Sequence, residues 1–310
     1  MKLKKNRWSA VVPFLGLFLV LAALGAATGG QLFQATNFSR ILDQCYTIVI
    51  LAVGCSFIYA HGGFDLAVGA VYGLSQMIAG LYVLRFGGVW MALALCVAMS
   101  LLCYAIMGVV TIRLNLPAFI SSLCMQFLCR GIITATVSEN LVLPSALAAA
   151  DSWMVKLAVL AVLLLSACIL MTYTVFGRNN KAIGENPVAA RQSGINNSRT
   201  RLLAYLYCAL LVGIAAFFAM CRTRTVATLA GSGYEMDVIF AIVLGGMSLN
   251  GGIFSSVRAP IIGALIITVL ANGLVMIGVP YTYIDGISGA MFLIVVALTY
   301  KRSRNGLMPR

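Results

Sequence analysis

The sequence has few charged residues, and this scarcity excludes most classes of soluble protein. Only 9% of its 310 residues are Asp, Glu, Lys or Arg, whereas 62% are hydrophobic and the mean hydropathy is +1.01. A soluble protein of this length carries a much larger share of charged residues. The composition predicts an all-α polytopic membrane protein, in which residues 1–310 form a single transmembrane domain.

Motifs for catalysis and cofactor binding are also missing. No glycine-rich phosphate-binding loop ending in Gly-Lys-Ser or Gly-Lys-Thr occurs, so we do not expect the chain to bind ATP in that way. There is no Gly-x-Ser-x-Gly motif, and the single histidine, His61, is the only candidate base for a serine nucleophile. The nine cysteines include no Cys-x-x-Cys pair, which favours packing over metal or disulfide chemistry. We therefore predict no enzymatic activity, no metal and no cofactor in this chain.

Long apolar runs make up most of the chain, and each is predicted to be a helix because a helix satisfies its own backbone groups in lipid. These runs number ten. They cover residues 8–29, 41–61, 65–84, 88–112, 116–137, 155–176, 202–221, 236–250, 259–279 and 281–300. Run 236–250 is short and glycine-rich, which suits a re-entrant or broken helix and leaves eight to eleven crossings open.

The net charge of +13 is concentrated at the ends of the runs, so we attribute it to membrane topology and not to nucleic-acid binding. Positive charge favours the cytoplasmic side of a membrane. With ten crossings, this tendency places both termini in the cytoplasm. The basic terminal residues are Lys2, Lys4, Lys5, Arg7, Lys301, Arg302, Arg304 and Arg310.

Residues 179–201 form a polar insert between two long apolar runs. It contains Lys181, Arg191, Arg199 and Arg201 against one acid, Glu185, which predicts a cytoplasmic position. We expect a short basic helix over residues 182–196 to which a partner protein can bind. On the opposite side, the loop 138–153 is predicted to be non-helical, and it is either a receptor for a binding protein or a simple connection.

A few polar residues and glycines near the apolar runs are candidates for a translocation path. An acid next to the hydrocarbon region is costly, so Asp65 either contacts solute or caps the helix that follows it. Gln126 and Arg130 lie four residues apart on one helix face, and Arg130 either faces a pore or reaches the interface. The residues assigned to the path or its signature are Gly62, Gly63, Asp65, Gly69, Gln126 and Asn272.

Four segments, in order, resemble the permease subunit of ribose/xylose/galactose-type ABC importers, the carbohydrate uptake transporter family 2. They span most of the chain. They are Gly62-Gly-Phe-Asp-Leu-Ala-Val-Gly69, Arg113-Leu-Asn-Leu-Pro-Ala-Phe-Ile120, the segment 176–195 with its Ala189-Ala-x-x-x-Gly194 core, and Gly231–Asp237 followed by Gly245–Gly252. The chain departs from the family pattern at Val188, where an acid is common, and in the stretch 253–260, which lacks an expected glycine.

The resemblance implies a type II importer fold in the bacterial inner membrane. It further implies three protein partners: a separate ATPase that binds the ATP, an extracytoplasmic solute-binding protein, and a second permease subunit, identical or different. The coupling segment 177–201 would dock on the ATPase. The coupling residues are then Ala182, Ile183, Gly184, Asn186, Ala189, Ala190, Arg191, Gly194 and Ile195.

The predicted function is therefore import of a sugar or a related small polar solute. Permeases for nucleosides or branched-chain amino acids are the nearest alternatives. An ion-coupled carrier that needs no ATPase is a more distant one, for which Asp65 would have to serve as the coupling acid.

Overall fold

The computed structural model describes residues 7–299, and these form twelve α-helices and one pair of two-residue strands. The basic residues before Arg7 and after Thr299, which support the predicted cytoplasmic termini, lie outside the described residues. The helices are α1 (Arg7–Ala27), α2 (Ala35–Ala60), α3 (Val68–Phe86), α4 (Val89–Arg113), α5 (Ala118–Thr136), α6 (Trp153–Cys168), α7 (Val175–Glu185), α8 (Pro187–Gln192), α9 (Asn197–Thr223), α10 (Tyr234–Leu244), α11 (Arg258–Met276) and α12 (Tyr281–Thr299).

Each predicted apolar run overlaps a helix, although the run 236–250 extends past the end of α10 at Leu244, and this helical content agrees with the all-α membrane class. Between residues 7 and 299, six helical segments are long and apolar enough to cross a membrane by length and composition. They are Ala35–Ala60, Val89–Arg113, Ala118–Thr136, Trp153–Tyr173, Asn197–Thr223 and Arg258–Met276. The larger number of crossings stays a prediction.

Helices α2 and α9 lie at the centre of the bundle. In their most apolar stretches, 83% and 67% of the residues are buried, against 28% for α5 and 22% for the segment that begins with α6. Small residues let the central helices approach: a side chain at Gly54 on α2 would press on Leu211 of α9. The outer helices α5 and α6 thus present most of their apolar surface to whatever surrounds this chain.

Helix α10 is too short to cross a bilayer. Its 11 residues rise about 16 Å, roughly half the hydrocarbon thickness. It is preceded by the non-helical turn 227–233, which lies beside α3, where side chains at Gly69 and Gly73 would collide with the carbonyls of Gly231 and Ala230. The predicted run 236–250 therefore contains only the end of a short helix, which stops at Leu244, and we call the turn 227–233 together with α10 the broken helix.

The connections between helices gather at two separate ends. At one end, strand β1 (Leu141–Val142) pairs antiparallel with β2 (Thr225–Val226). The loop 138–153, predicted to be non-helical, contains β1 and also a 3-10 helix, Ser145–Ala150. At the other end, the polar insert contacts the end of α2 and the loop after α10.

A buried ion-pair cluster ties helices together at the end that carries the strands. The Lys156 side chain, 4% exposed, lies 2.8 Å from an Asp43 carboxylate oxygen and 2.9 Å from one of Asp151. Arg222 donates a hydrogen bond of 2.7 Å to the backbone carbonyl of Asp43. The cluster joins α2, α6, α9 and the residue that follows the 3-10 helix.

We predict that Lys156→Met lowers the free energy of unfolding by about 2 kcal/mol, because the carboxylates of Asp43 and Asp151 lose their cation. This value lies between those typical of exposed and of buried ion pairs. Thermal unfolding of the purified protein in detergent measures the effect. Arg113→Met, which removes an exposed cation, is the matched control. Equal melting temperatures for the two variants would contradict a stabilising role for the cluster.

Candidate coupling surface and translocation path

The polar insert folds into two short helices and not into the single helix predicted over residues 182–196. The prediction is wrong because Asn186 adopts an extended conformation between α7 and α8. Its side-chain oxygen accepts hydrogen bonds of 3.0 Å from the backbone N–H groups of Val188 and Ala189, which makes it the N-cap of α8. Pro187 follows at the first helical position, where a missing N–H costs nothing.

The local structure explains why small residues occupy the Ala189-Ala-x-x-x-Gly194 pattern. Ala190 is buried at 4% exposure, and Gly194 has a φ of +83°, a conformation that favours glycine. The N–H groups of Gly194 and Ile195 bond to the carbonyls of Arg191 and Ala190 at 3.1 Å, as in a Schellman cap. Gly194 therefore ends α8 and turns the chain towards α9.

A groove of about 390 Å³ runs between α7 and α8. Five of the predicted coupling residues line it: Ala182, Asn186, Ala189, Ala190 and Ile195. Ile183 lies beneath the surface at 1% exposure, Arg191 is exposed on α8, and neither lines the groove. The groove is mostly apolar, and the cations Arg178 and Lys181 lie among its lining residues.

The insert contacts the backbone of the helix bundle at the end of α2. The Asn180 side chain donates a hydrogen bond of 2.7 Å to the carbonyl of Phe57 on α2. A side chain at Gly184 would collide with the carbonyl of Ala60 and would lie 2.6 Å from the nitrogen of Gly252. The Gly252 N–H itself donates to the Ala60 carbonyl at 3.0 Å. We call this contact among residues 60, 184 and 252 the glycine junction.

Glu185 has a structural function that its sequence context did not reveal. Its carboxylate accepts a hydrogen bond of 2.9 Å from the backbone N–H of Ile253, next to the glycine junction. Gly62 belongs to the same region, because its φ is +79° and a side chain there would lie 3.3 Å from the carbonyl of Asn250. Gly63 is tightly enclosed by Ile58 and His61, which leaves no space for a side chain.

His61 is buried, at 5% exposure. The centre of its ring lies 5.9 Å from that of the Tyr205 ring, so the imidazole packs inside the helix bundle.

Asp65 is fully buried and has partners on three sides. One carboxylate oxygen accepts a hydrogen bond of 2.8 Å from the N–H of Ala67, just before α3. The other accepts a hydrogen bond of 2.5 Å from the hydroxyl of Tyr104 on α4, a partner that sequence reasoning missed. The N-cap of α3 is Ala67, without a side-chain cap bond, so Asp65 fixes the turn ahead of the helix and does not cap the helix itself.

Cys55 and Cys208 lie beside Asp65, and their sulfur atoms are 3.7 Å apart. The two sulfurs and a carboxylate oxygen fall within 4.8 Å of one another, so the three side chains are spaced like metal ligands. No local sequence pattern indicates this cluster, because Cys208 lies 153 residues from Cys55 along the chain. The absence of a resident metal stays a prediction.

Gly69 and Gln126 meet at the start of the broken helix. A side chain at Gly69 would collide with the Gly231 carbonyl and the Glu235 carboxylate. Gln126 on α5 donates a hydrogen bond of 3.3 Å to the other Glu235 oxygen. Asn272 is not part of this group, since its side chain accepts a hydrogen bond of 2.9 Å from Asn37 at the start of α2.

Comparison with known proteins assigns the chain to a family. Residues 37–296 match the family described as branched-chain amino acid transport system / permease component. The chain belongs to this permease family. The match covers α2 to α11 and most of α12, and so includes both the glycine junction and the broken helix.

Several curated relatives match over nearly their whole length. The ribose import permease protein RbsC of Escherichia coli K12 is 30% identical over 95% of both chains. The fructose import permease protein FrcC of Rhizobium meliloti is 30% identical over 93% of this chain and 84% of its own. The autoinducer 2 import system permease protein LsrC of Klebsiella pneumoniae is 31% identical over 96% of this chain and 87% of its own. No solved structure gives a significant match.

Family membership, together with the apolar helices, confirms the predicted class, which is an importer permease of the bacterial inner membrane. The chain is a permease component of a transport system.

We predict that Gly184→Ala destabilises the protein by about 2 kcal/mol, because the new methyl group meets the backbone of Ala60 and Gly252 at the glycine junction. The matched control is Gly131→Ala on α5, where an added Cβ has nothing within 4 Å. Thermal unfolding in detergent compares the two. Equal melting temperatures of Gly184→Ala and Gly131→Ala would show that the backbone segments of the glycine junction can move apart without loss of stability.

Proposed function

We propose that the chain is the membrane-spanning subunit of a binding-protein-dependent ABC importer for a sugar or a related small polar solute. The groove between α7 and α8 carries the proposal, because it is a surface recess on an insert that is bonded directly to the helix bundle. The curated relatives include permeases named for ribose, fructose and autoinducer 2 import, which supports a sugar-like solute.

We place the groove in the cytoplasm, with ten crossings and both termini on the same side. Two observations support this topology. The insert carries four of the chain's cations, which favours the cytoplasm. The insert and the β1–β2 pair also lie at opposite ends of the helix bundle. Helices that cross the membrane in succession place their connections at alternate ends in this way. The broken segment 227–244 counts as one of the ten crossings.

We propose that a separate ATPase, which binds the ATP, docks into the groove and pushes on it when it closes. The glycine junction then moves the end of α2, and the turn 61–67 carries the displacement to α3. An extracytoplasmic binding protein would deliver the solute at the opposite end. A second permease subunit, identical or different, would complete the path alongside this chain.

A permease for branched-chain amino acids is the second candidate, because the description of the matched family names that solute class. The relatives named for sugars argue against it, since they match over almost the entire chain. An ion-coupled carrier has less support, because Asp65 is fully buried and bonded to Tyr104 and Ala67. A nucleoside permease differs from the main proposal only in the solute.

We predict that Ala189→Trp abolishes docking of the ATPase. Ala189 is exposed and lines the groove, so an indole there fills the recess without disturbing the bundle. The measurements are co-purification with the ATPase encoded by a neighbouring gene and ATP hydrolysis stimulated by the binding protein. We expect stimulated hydrolysis to fall at least about tenfold, which corresponds to 1.4 kcal/mol of lost interaction.

The matched control is Gln192→Trp, which adds the same ring to an exposed position of α8 that does not line the groove. Its effect is expected to be much smaller. Normal assembly and normal coupled hydrolysis in Ala189→Trp would remove the docking proposal.

A further inference from the structure

Two cysteines and one acid from three separate parts of the chain meet inside the helix bundle. Cys55 lies on α2, Cys208 lies on α9, and Asp65 lies in the turn 61–67 between α2 and α3. All three residues are fully buried, at 0% exposure. Their two sulfur atoms and a carboxylate oxygen lie within 4.8 Å of one another. We call these three residues the Cys–Asp cluster.

The distances within the Cys–Asp cluster suit a single tetrahedral metal ion. The sulfurs of Cys55 and Cys208 are 3.7 Å apart, and the Cys55 sulfur lies 3.7 Å from the Oδ2 of Asp65. Two thiolates that each lie about 2.3 Å from one tetrahedral zinc ion are about 3.8 Å apart. In a disulfide the sulfurs are about 2.0 Å apart, whereas both cysteines here are free thiols. The spacing therefore fits two ligands of one ion better than a disulfide.

Asp65 brings an acid into the interior of the bundle, where its bonding partners are all neutral. Its carboxylate accepts hydrogen bonds from the Tyr104 hydroxyl, the Ala67 N–H and the Cys55 thiol. Burying an ionised carboxylate is costly unless its charge is paired or binds a metal. A divalent cation between the carboxylate and the two sulfurs would supply the positive charge that these neutral partners do not.

The surrounding structure holds the Cys–Asp cluster in place. Tyr104 donates to the Oδ2 of Asp65 at 2.5 Å, and the N–H of Ala67 donates to its Oδ1 at 2.8 Å. Carboxylates that bind metals are oriented by further hydrogen bonds of this kind. On the other side, an added Cβ at Gly54 would lie 3.4 Å from the Cys208 sulfur, so the missing side chain lets α9 bring this sulfur close to α2.

We infer that the Cys–Asp cluster binds one zinc ion, which joins α2, α9 and the turn 61–67. Thiolates select zinc or copper(I), and the added carboxylate favours zinc. The ion needs no separate cavity, because it occupies the space that its ligands enclose, and it can bind while the helices assemble. A water molecule is sufficient as the fourth ligand. This inference replaces the sequence-based expectation of no metal, and it does not depend on the proposed importer function.

The test measures the metal content of the full chain, purified in detergent from cells grown with added zinc. We expect about one zinc ion per chain. Cys208→Ser and Asp65→Asn each replace one ligand, so both are expected to hold at least about tenfold less zinc. When Co²⁺ takes the place of zinc, the absorption bands of cobalt–thiolate bonds should appear in the unmodified chain and be absent in Cys208→Ser.

The matched control for the ligand variants is Cys96→Ser, which changes a fully buried cysteine whose sulfur bonds to the carbonyl of Ser75. It should hold as much zinc as the unmodified chain. Tyr104→Phe removes a bond that orients the carboxylate, so it is expected to raise the zinc dissociation constant about tenfold. Its control is Tyr46→Phe, because the buried Tyr46 hydroxyl has no hydrogen-bond partner among the described residues.

Three results would overturn the zinc site. The unmodified chain could bind no zinc, in which case the carboxyl group of Asp65 is buried in its neutral form. Cys208→Ser could hold as much zinc as the unmodified chain, which would show that the metal is adventitious. Mass spectrometry could recover Cys55 and Cys208 as a disulfide. If one ligand variant fails to fold, as judged by its melting temperature, the other and the metal content of the unmodified chain decide the result.

Discussion

The close approach of backbone to backbone at the glycine junction is the constraint on which the rest of the proposed coupling depends. Gly184 and Gly252 have no side chains, so the insert and the loop after α10 both reach the carbonyl of Ala60. Glu185 reinforces the contact by accepting from Ile253. The insert therefore touches the backbone at the end of α2 directly, and Glu185 ties the same part of the insert to the loop after α10.

A single short stretch of chain joins the glycine junction to the turn before α10. After Ala60, the turn 61–67 leads to Asp65, which Tyr104 fixes to α4. Helix α3 begins at Val68, and Gly69 immediately contacts the turn before α10. The segment 60–69 therefore touches the coupling end of the molecule at one extremity and the broken helix at the other. These contacts form a continuous connection between the insert and the turn before α10.

The sequence predicted the helices well because lipid leaves the backbone few alternatives, and it predicted the partners of individual residues poorly. Asp65 was identified as costly, yet Tyr104, which bonds to it, lies 39 residues away and carries no local signal. The break at Asn186 was missed because the whole insert was treated as one helix, although Asn186-Pro187 is a recognisable helix start. Asn272 was grouped with Gln126 by polarity alone, but its partner is Asn37.

The broken helix has an energetic cost that Arg130 only partly offsets. The turn 227–233 has a few turn hydrogen bonds in place of continuous helical ones, so some of its backbone groups need other partners. Arg130 satisfies the carbonyl of Ala230, and Gln126 satisfies one oxygen of Glu235. These two bonds hold the start of α10 against α5, so the contact between the two helices compensates for part of the helical turn that is missing before α10.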